Sequence, residues 1–351
     1  MSRVFDIILK KIWRILKMDA INRVKKAIEE IQKGNIIIMI DDEDRENEGD
    51  LVYAGVFSTP EKVNFLAKEA RGLICVSISK DIANNLSLTP MVTHNDSSYE
   101  TAFTISVDAK ECSTGISAYE RDLTIKLLST PTTKADDLVR PGHIFPLIAK
   151  DGGVLVRTGH TEGSVDICKL AGVYPSAVIC EIMKDDGSMA RRDDLDKFAK
   201  EHNLAVVYIS DIVEYKLQYE SLVKRISETQ IELFGVKFKK IEFKDHQNRI
   251  HYAIVNEAKN TTNVKFYPVE DNIKFLEKLD EYKKVVEYIK YNSGAIIFMD
   301  SESEDKQKEF GIGAQILKNL GINKLHLISK SEVEFFGLKG FGIEILDTIK
   351  V

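Results

Sequence analysis

Cysteine is scarce in this sequence. Only Cys75, Cys112, Cys168 and Cys180 occur among 351 residues, and none follows Cys180. No CxxC spacing is present. That excludes a disulfide scaffold and a cysteine-rich zinc module. Buried free thiols in a reducing cytoplasm are expected instead, and with them a cytoplasmic location. Internal repeats and low-complexity segments are missing too. No apolar run approaches the ~20 residues that a membrane-spanning helix needs. Positive charge is in deficit: 49 Lys and Arg face 55 Asp and Glu, for a net charge of -6. Such a balance makes nucleic acid an unexpected partner. What remains is a chain with 44% hydrophobic residues, long enough for two domains with separate cores.

The first seventeen residues stand apart. Val4, Ile7, Ile8, Ile12, Ile15 and Leu16 track one helical face, with Lys10, Lys11, Arg14 and Lys17 beside or opposite it. A membrane-surface helix is one reading. A disordered or artefactual leader is the preferred one, because Met18 opens a well-formed helix of its own; membrane contact is not expected of this leader. It has neither the long apolar region nor the small-residue cleavage site of a signal peptide.

From Met18 the pattern alternates between helix and strand. Ile21, Val24, Ile28 and Ile31 recur at helical spacing, and Gly34 stops the helix. Ile36–Ile40 reads as a buried strand. Thr59-Pro60 is a cap followed by proline at the first helical position. Leu73–Ile78 is a strand, and Thr101–Val107 a half-buried one with Phe103, Ile105 and Val107 inward. RPGHIFP at 140–146 reads as a rigid loop, Val154–Val156 as a short strand, Ala177–Met183 as another strand. The first domain closes near Tyr219. From about Lys224 the texture changes: alternating segments at Ile231–Phe243 and Arg249–Val255, a charged helix over Asn272–Lys290, strands at Ala295–Met299 and Lys324–Ile328, and a helix over Lys306–Leu320. The expected class is α+β, a mixed sheet flanked by helices, followed by a smaller α/β domain over 224–351.

The chemistry concentrates in a few places. Seven of the ten residues Asp41–Asp50 are acidic. A charge run is usually a solvated face. Here it follows directly on a buried strand, which holds its first residues at a strand end, and Gly49 allows a tight backbone where the carboxylates converge. Magnesium wants oxygen ligands and takes only one or two carboxylates. His160 stands in RTGHTEG between a strand and a helix, where Arg157, Thr161 and Gly163 at a helix N-terminus suit a phosphate. Together the acidic stretch and His160 imply a divalent-metal site acting on a small phosphorylated sugar. His143, between Pro141 and Pro146, is either a loop-packing residue or a general acid or base. Glu181 ends an apolar strand, a place where a carboxylate either faces a cleft or is costly to bury, and a raised pKa there suits proton transfer.

DDEDRENEGDL, STGISAYER, RPGHIFPL and GGVLVRTGHTEGSVDICKLAG together resemble 3,4-dihydroxy-2-butanone 4-phosphate synthase of riboflavin biosynthesis, over residues 18–219. The resemblance implies conversion of D-ribulose 5-phosphate to 3,4-dihydroxy-2-butanone 4-phosphate and formate, by a homodimeric lyase that uses Mg²⁺, for which Mn²⁺ can substitute. The family's metal ligands fall on Glu46 and His160. Its substrate-binding positions fall on Arg45, Glu46, Asp50, Arg157, Thr158, Gly159, His160, Thr161 and Glu181. Its catalytic residues fall on His143 and Glu181. One departure is Thr158, where RGGHTEAT is common and this chain has RTGHTEGS.

FGIGAQILKNLGINKLHLIS, GLKGFGIEI and NRIHYAIV resemble GTP cyclohydrolase II. That family relies on a three-cysteine zinc site and a QEGRGIG-type segment. This chain has no cysteine beyond Cys180 and reads MDSESEDKQKEFGIGAQ where the segment belongs. The expectation is a relic without zinc and without GTP cyclohydrolase II activity. The competing readings are a bifunctional enzyme with an unfamiliar metal site drawn from His246, His251 and Glu270, and a purely regulatory or assembly module.

Overall fold

The computed structural model describes residues 19–217, 220–257, 259, 261–269, 276–300, 310–329 and 341–351. The leader 1–17, the start of the charged helix expected from Asn272, residues 306–309 and Glu270 lie outside these. The chain divides into two compact units between Gln218 and Tyr219, with Leu155–Arg157 grouped with the second.

The first unit is built on a seven-stranded mixed sheet. Its strands are β1 (Ile37–Ile40), β2 (Gly49–Ala54), β3 (Cys75–Ile78), β4 (Val107–Ala109), β5 (Leu138–Ile148), β6 (Ser176–Glu181) and β7 (Ala205–Tyr208), in the order β4-β5-β3-β6-β2-β1-β7. β3 runs parallel to β5 and β1 to β7; the other neighbours are antiparallel. Strands β1, β2 and β3 are buried at every position, as strands covered on both faces are. The two-residue period divides their side chains. Ile38, Ile40, Leu51, Tyr53, Val76, Val178 and Cys180 join a core with Val63, Ile125, Leu128 and Leu195. The alternate residues, among them Met39, Asp50 and Glu181, turn to the opposite face. There helix α5 (His160–Leu170) packs so closely that a Cβ on Gly163 would stand 2.7 Å from the Met39 sulfur.

The other helices of this unit are α1 over residues 19–32, α2 (Pro60–Phe65), α3 (Lys80–Asn85), α4 (Ala118–Leu128), α6 (Arg192–Glu201) and α7 (Ile209–Lys216). Thr59 caps α2 by accepting the Lys62 N–H, with Pro60 at the first position, as expected. Helix α1 buries Ala20, Val24, Ala27 and Ile31, so its core stripe lies slightly aside of Ile21 and Ile28. Gly34 follows with φ +78°.

Several local expectations are corrected. RPGHIFP is not a loop; it lies inside β5. Proline lacks a donor, but its carbonyl still accepts, and Pro146 O takes the Thr104 N–H at 2.9 Å. Thr101–Val107 is not a strand with Ile105 inward. Ile105 is 39% exposed while Thr104 and Ser106 are buried, because their hydroxyls find partners in Pro146 O and Gly142 N–H. Gly153–Leu155 is a 3-10 turn rather than a strand. Of the four thiols, Cys112 is only half-buried.

The second unit has its own seven-stranded mixed sheet. Its strands are β8 (Val223–Leu233), β9 (Val236–Asp245), β10 (Ile250–Val255), β11 (Thr261–Pro268), β12 (Gly294–Met299), β13 (Lys324–Ile328) and β14 (Glu344–Ile349), in the order β14-β13-β11-β12-β10-β9-β8. The run Ile231–Phe243 is therefore two strands, broken at Phe234 and Gly235, both with positive φ. β11 and β14 escape the sequence pattern. Helix α8 (Leu279–Tyr291) buries Tyr282, Val285, Val286 and Ile289, an i, i+3, i+4, i+7 stripe. Helix α9 spans Phe310–Asn319.

Candidate active site

The acidic run is the turn of the β1–β2 hairpin, whose register pairs Ile40 with Gly49. Asp41 organises it. Its Oδ2 accepts the Arg45 guanidinium at 2.9 Å and the Glu46 N–H at 3.0 Å, and its Oδ1 accepts the Glu48 N–H at 2.8 Å. Arg191 donates to Glu46 O at 2.7 Å from outside the turn. The left-handed residue is Asn47, with φ +54°. Gly49 is needed for a different reason than backbone freedom: a Cβ there would meet the Leu195 side chain at 2.7 Å.

This turn delivers Glu46 to His160, the first residue of α5. Glu46 Oε2 lies 3.7 Å from His160 Nδ1, and Asp50 Oδ1 lies 3.8 Å from Nε2. The His160 Nε2–H donates to Met39 O at 3.2 Å, leaving Nδ1 bare in the neutral ring. Asp41, Glu46 and His160 each offer a ligand atom, all within 4.8 Å of one another, and they are the one such group among the described residues. Burial disfavours the His160 imidazolium, but Asp50 and Glu46 outweigh it and raise its pKa to about 9. Asp50 is 3% exposed. Its burial, with the charges of Glu181 and Glu46, pushes its pKa well above the ordinary carboxylate range. Its Oδ1 has no hydrogen-bond partner, an orphan that a cation or a substrate hydroxyl would satisfy.

Strand register sets Asp50 directly opposite Glu181. The Leu73 N–H donates to Glu181 Oε2 at 2.9 Å. Gly72 permits this, since a Cβ there would stand 2.3 Å from Glu181 O and 2.6 Å from Oε2. Arg45 is nearly buried, paired with Asp41 and, at 3.0 Å, with Glu46 Oε1; its guanidinium lies 5.2 Å from the Tyr99 ring centre. Cys75, in register with Ile179, has its thiol pushed well up by burial and by the Glu181 and Asp50 charges.

The structure thus brings Arg45, Glu46, Asp50, His160 and Glu181 together. Thr158 and Thr161 are buried beside His160 in the chain, Gly159 is the N-cap of α5, and Arg157 is half-buried three residues before it. His143 is not joined to this group by any hydrogen bond or ion pair. Its Nδ1 lies 2.8 Å from Asp108 Oδ2, and its backbone N–H donates to Asp108 Oδ1 at 2.8 Å. A Cβ on Gly115 would strike both partners, at 2.0 Å from Asp108 Oδ2 and 2.6 Å from His143 Nδ1. Asp108 was invisible in the sequence, where nothing marks one aspartate at the end of an apolar segment as the partner of a histidine 35 residues on. Asp41 was visible only as one acid among seven.

Residues 25–215 match the family described as 3,4-dihydroxy-2-butanone 4-phosphate synthase. The chain belongs to that family. A synthase of Sulfurospirillum multivorans is 54% identical over 339 residues, 95% of each chain. One of Wolinella succinogenes is 55% identical over 337 residues, 94% of this chain and 97% of the relative. A two-domain synthase from A. baumannii, RibBX, superimposes with a TM-score of 0.68 at 35% identity, covering 93% of this chain and 99% of that one. A synthase crystallised with two magnesium ions matches with a TM-score of 0.54 at 37% identity, over 56% of this chain and 97% of that one. Residues 267–350 match GTP cyclohydrolase II. The synthase reaction takes D-ribulose 5-phosphate to 3,4-dihydroxy-2-butanone 4-phosphate and formate, in riboflavin biosynthesis. Among the described residues, no helix is long and apolar enough to cross a membrane.

Proposed function

We propose that this synthase works as a Mg²⁺-dependent lyase at the Glu46–His160 site and that its second unit lacks GTP cyclohydrolase II activity. The carrying observation is the Asp41–Glu46–His160 group, buried at Asp41 and His160 and partly open at Glu46, set beside the orphaned Asp50 oxygen. Two carboxylates and one imidazole fit a hard cation that keeps water or substrate in its remaining positions. Three of the four acceptor positions of the Asp41 carboxylate are taken by hydrogen bonds that order the turn, so Glu46 and His160 are the residues that would hold Mg²⁺, or Mn²⁺ in its place. The bound ion supplies Lewis-acid stabilisation of negative charge on substrate oxygen. Asp50 and Glu181 face the substrate's hydroxyls and carbonyl from adjacent strands, and Glu181 moves protons at Oε1, since Oε2 is held by Leu73. Arg157, Thr158, Gly159 and Thr161 grip the phosphate at the N-terminus of α5 and orient a group that does not react. In His143 the Asp108 contact fixes Nδ1 as the protonated nitrogen, so Nε2 exchanges protons with the substrate. We assign the chain to the cytoplasm as a homodimer.

The reading includes no zinc, and two features of the chain's own residues support that. No cysteine follows Cys180. In the second unit His251 is fully buried, with Nε2–H donating to Asp245 Oδ2 at 3.2 Å and Nδ1 accepting the Asp300 N–H at 3.1 Å. Both ring nitrogens are engaged, so His251 is a poor ligand for the alternative site with His246 and Glu270. The decisive experiment offers ribulose 5-phosphate and, separately, GTP to the purified protein, each with Mg²⁺ and with Zn²⁺. Mg²⁺-dependent formate release from ribulose 5-phosphate alone is expected; formate from GTP refutes the single-activity reading.

A further inference from the structure

We infer that Asp166 and Lys216 are positioning residues for the synthase reaction, acting with Glu162 as a clamp on the segment that carries Arg157 and His160. The inference rests on the roles proposed above for those two residues. Residues 150–159 lead into α5 and hold the phosphate-gripping positions. Glu162 and Asp166 lie four residues apart, on one face of α5, and both are buried, at 1% and 2% exposed. Each reaches back to the segment. Glu162 Oε1 accepts the Lys150 N–H at 2.9 Å, and Asp166 Oδ2 accepts the Val154 N–H at 2.8 Å. Lys216, the last residue of α7, closes the arrangement with Nζ 2.8 Å from the same Asp166 oxygen. The fit is tight. Gly153 has φ +62°, and a Cβ on it would stand 2.1 Å from Asp166 Oδ2, so only glycine lets the turn approach the carboxylate this closely.

A buried ion pair is a weak device for stability, because desolvating two charges offsets their attraction. An apolar pair would pack α7 on α5 as well. What the charged pair adds is direction: a carboxylate held by Lys216 accepts from one backbone N–H at one place and fixes the chain three residues before Arg157. At its far end the same chain is fixed by His160 itself, whose ring is seated on Met39 O.

The double variant Asp166→Asn/Lys216→Met removes both charges and strands neither. It is assayed as the full chain, well below its own unfolding midpoint, for amide exchange at Val154, for KM and kcat with ribulose 5-phosphate, and for Mn²⁺ affinity by electron paramagnetic resonance. Faster exchange at Val154 and a KM raised about tenfold, with kcat changed much less, are expected. Lys216→Arg should keep the wild-type KM, and Lys216→Gln, a milder lesion in case the double variant does not fold, should raise it. A folded double variant or Lys216→Gln with wild-type KM overturns the inference, whether or not Val154 exchange changes. His160→Ala, measured alongside, separates this from the site itself: Mn²⁺ binding that survives His160→Ala sinks the metal-site reading, whereas the clamp stands or falls on KM and Val154 exchange.

Discussion

At the scale of single residues, His160 carries the most exposed prediction. A ligand must shed its proton before it binds a metal. Because the neighbouring carboxylates hold the His160 pKa up to about 9, Mg²⁺ affinity should climb steadily as pH rises toward 9 and level off above it. Titration calorimetry across pH 6.5–9.5 reads this slope directly. The same shift has the opposite effect on the metal-free protein. Its pKa is raised over the unfolded value of 6.5, so that contribution to stability is complete below pH 6.5 and is lost as pH passes through about 9. Glu46→Gln and His160→Ala should each cut Mg²⁺-dependent turnover by at least about a hundredfold while the far-ultraviolet dichroism stays that of the wild type. Asp108→Asn removes the carboxylate that selects the His143 tautomer. A kcat reduced by about a hundredfold with little change in KM is expected, and wild-type kcat would remove His143 and Asp108 from the chemistry.

At the scale of elements, two glycines make the site possible and predict different costs. Gly72 abuts backbone atoms of Glu181, which cannot yield. Gly72→Ala should therefore destabilise the fold by about 1–3 kcal/mol in chemical denaturation and depress kcat, because Glu181 must move with its strand. Gly163 abuts the end of the Met39 side chain, a flexible neighbour. Gly163→Ala should cost less than Gly72→Ala, and if it costs more, the packing of α5 on β1 is more rigid than these contacts imply. This scale also separates what a sequence reader can and cannot see. The capped start of α2 and the buried strand β1 follow from local rules, since Thr-Pro and an unbroken apolar run, isoleucine at every place but Met39, act within a few residues. The proline-framed stretch around His143 misleads, because sheet neighbours on both sides override its loop-like composition. The hydroxyls of Thr104 and Ser106 are buried by partners far away in the chain, which no periodicity records.

At the scale of the whole molecule, the two units have unequal claims to chemistry. The first has the acidic hairpin, the helix N-terminus and the register that joins them. The second retains strands and helices of a GTP cyclohydrolase II type while its histidine at 251 is consumed by internal bonds. Removing the second unit by ending the chain after Tyr219 should leave kcat for ribulose 5-phosphate within about twofold if that unit has no part in the reaction. Sedimentation of the truncated chain at a lower oligomeric state than the full chain would instead give the unit a role in assembly.

The sequence by itself determined the chemistry available. Seven acids at the end of a buried strand, a histidine opening a helix, an arginine three residues before it and a cysteine-free second half are what the expectations of a metal, a phosphate and a second unit without a cysteine zinc site were read from, without any coordinates. Tertiary structure decided which of these groups act together. Asp50 meets Glu181 only because β2 and β6 are antiparallel neighbours in one register, and Glu46 reaches His160 only because α5 packs on the face where the two-residue period turns Met39 and Asp50. Those are long-range facts of pairing and packing, and a one-residue slip of β2 would turn Asp50 to the other face, away from Glu181.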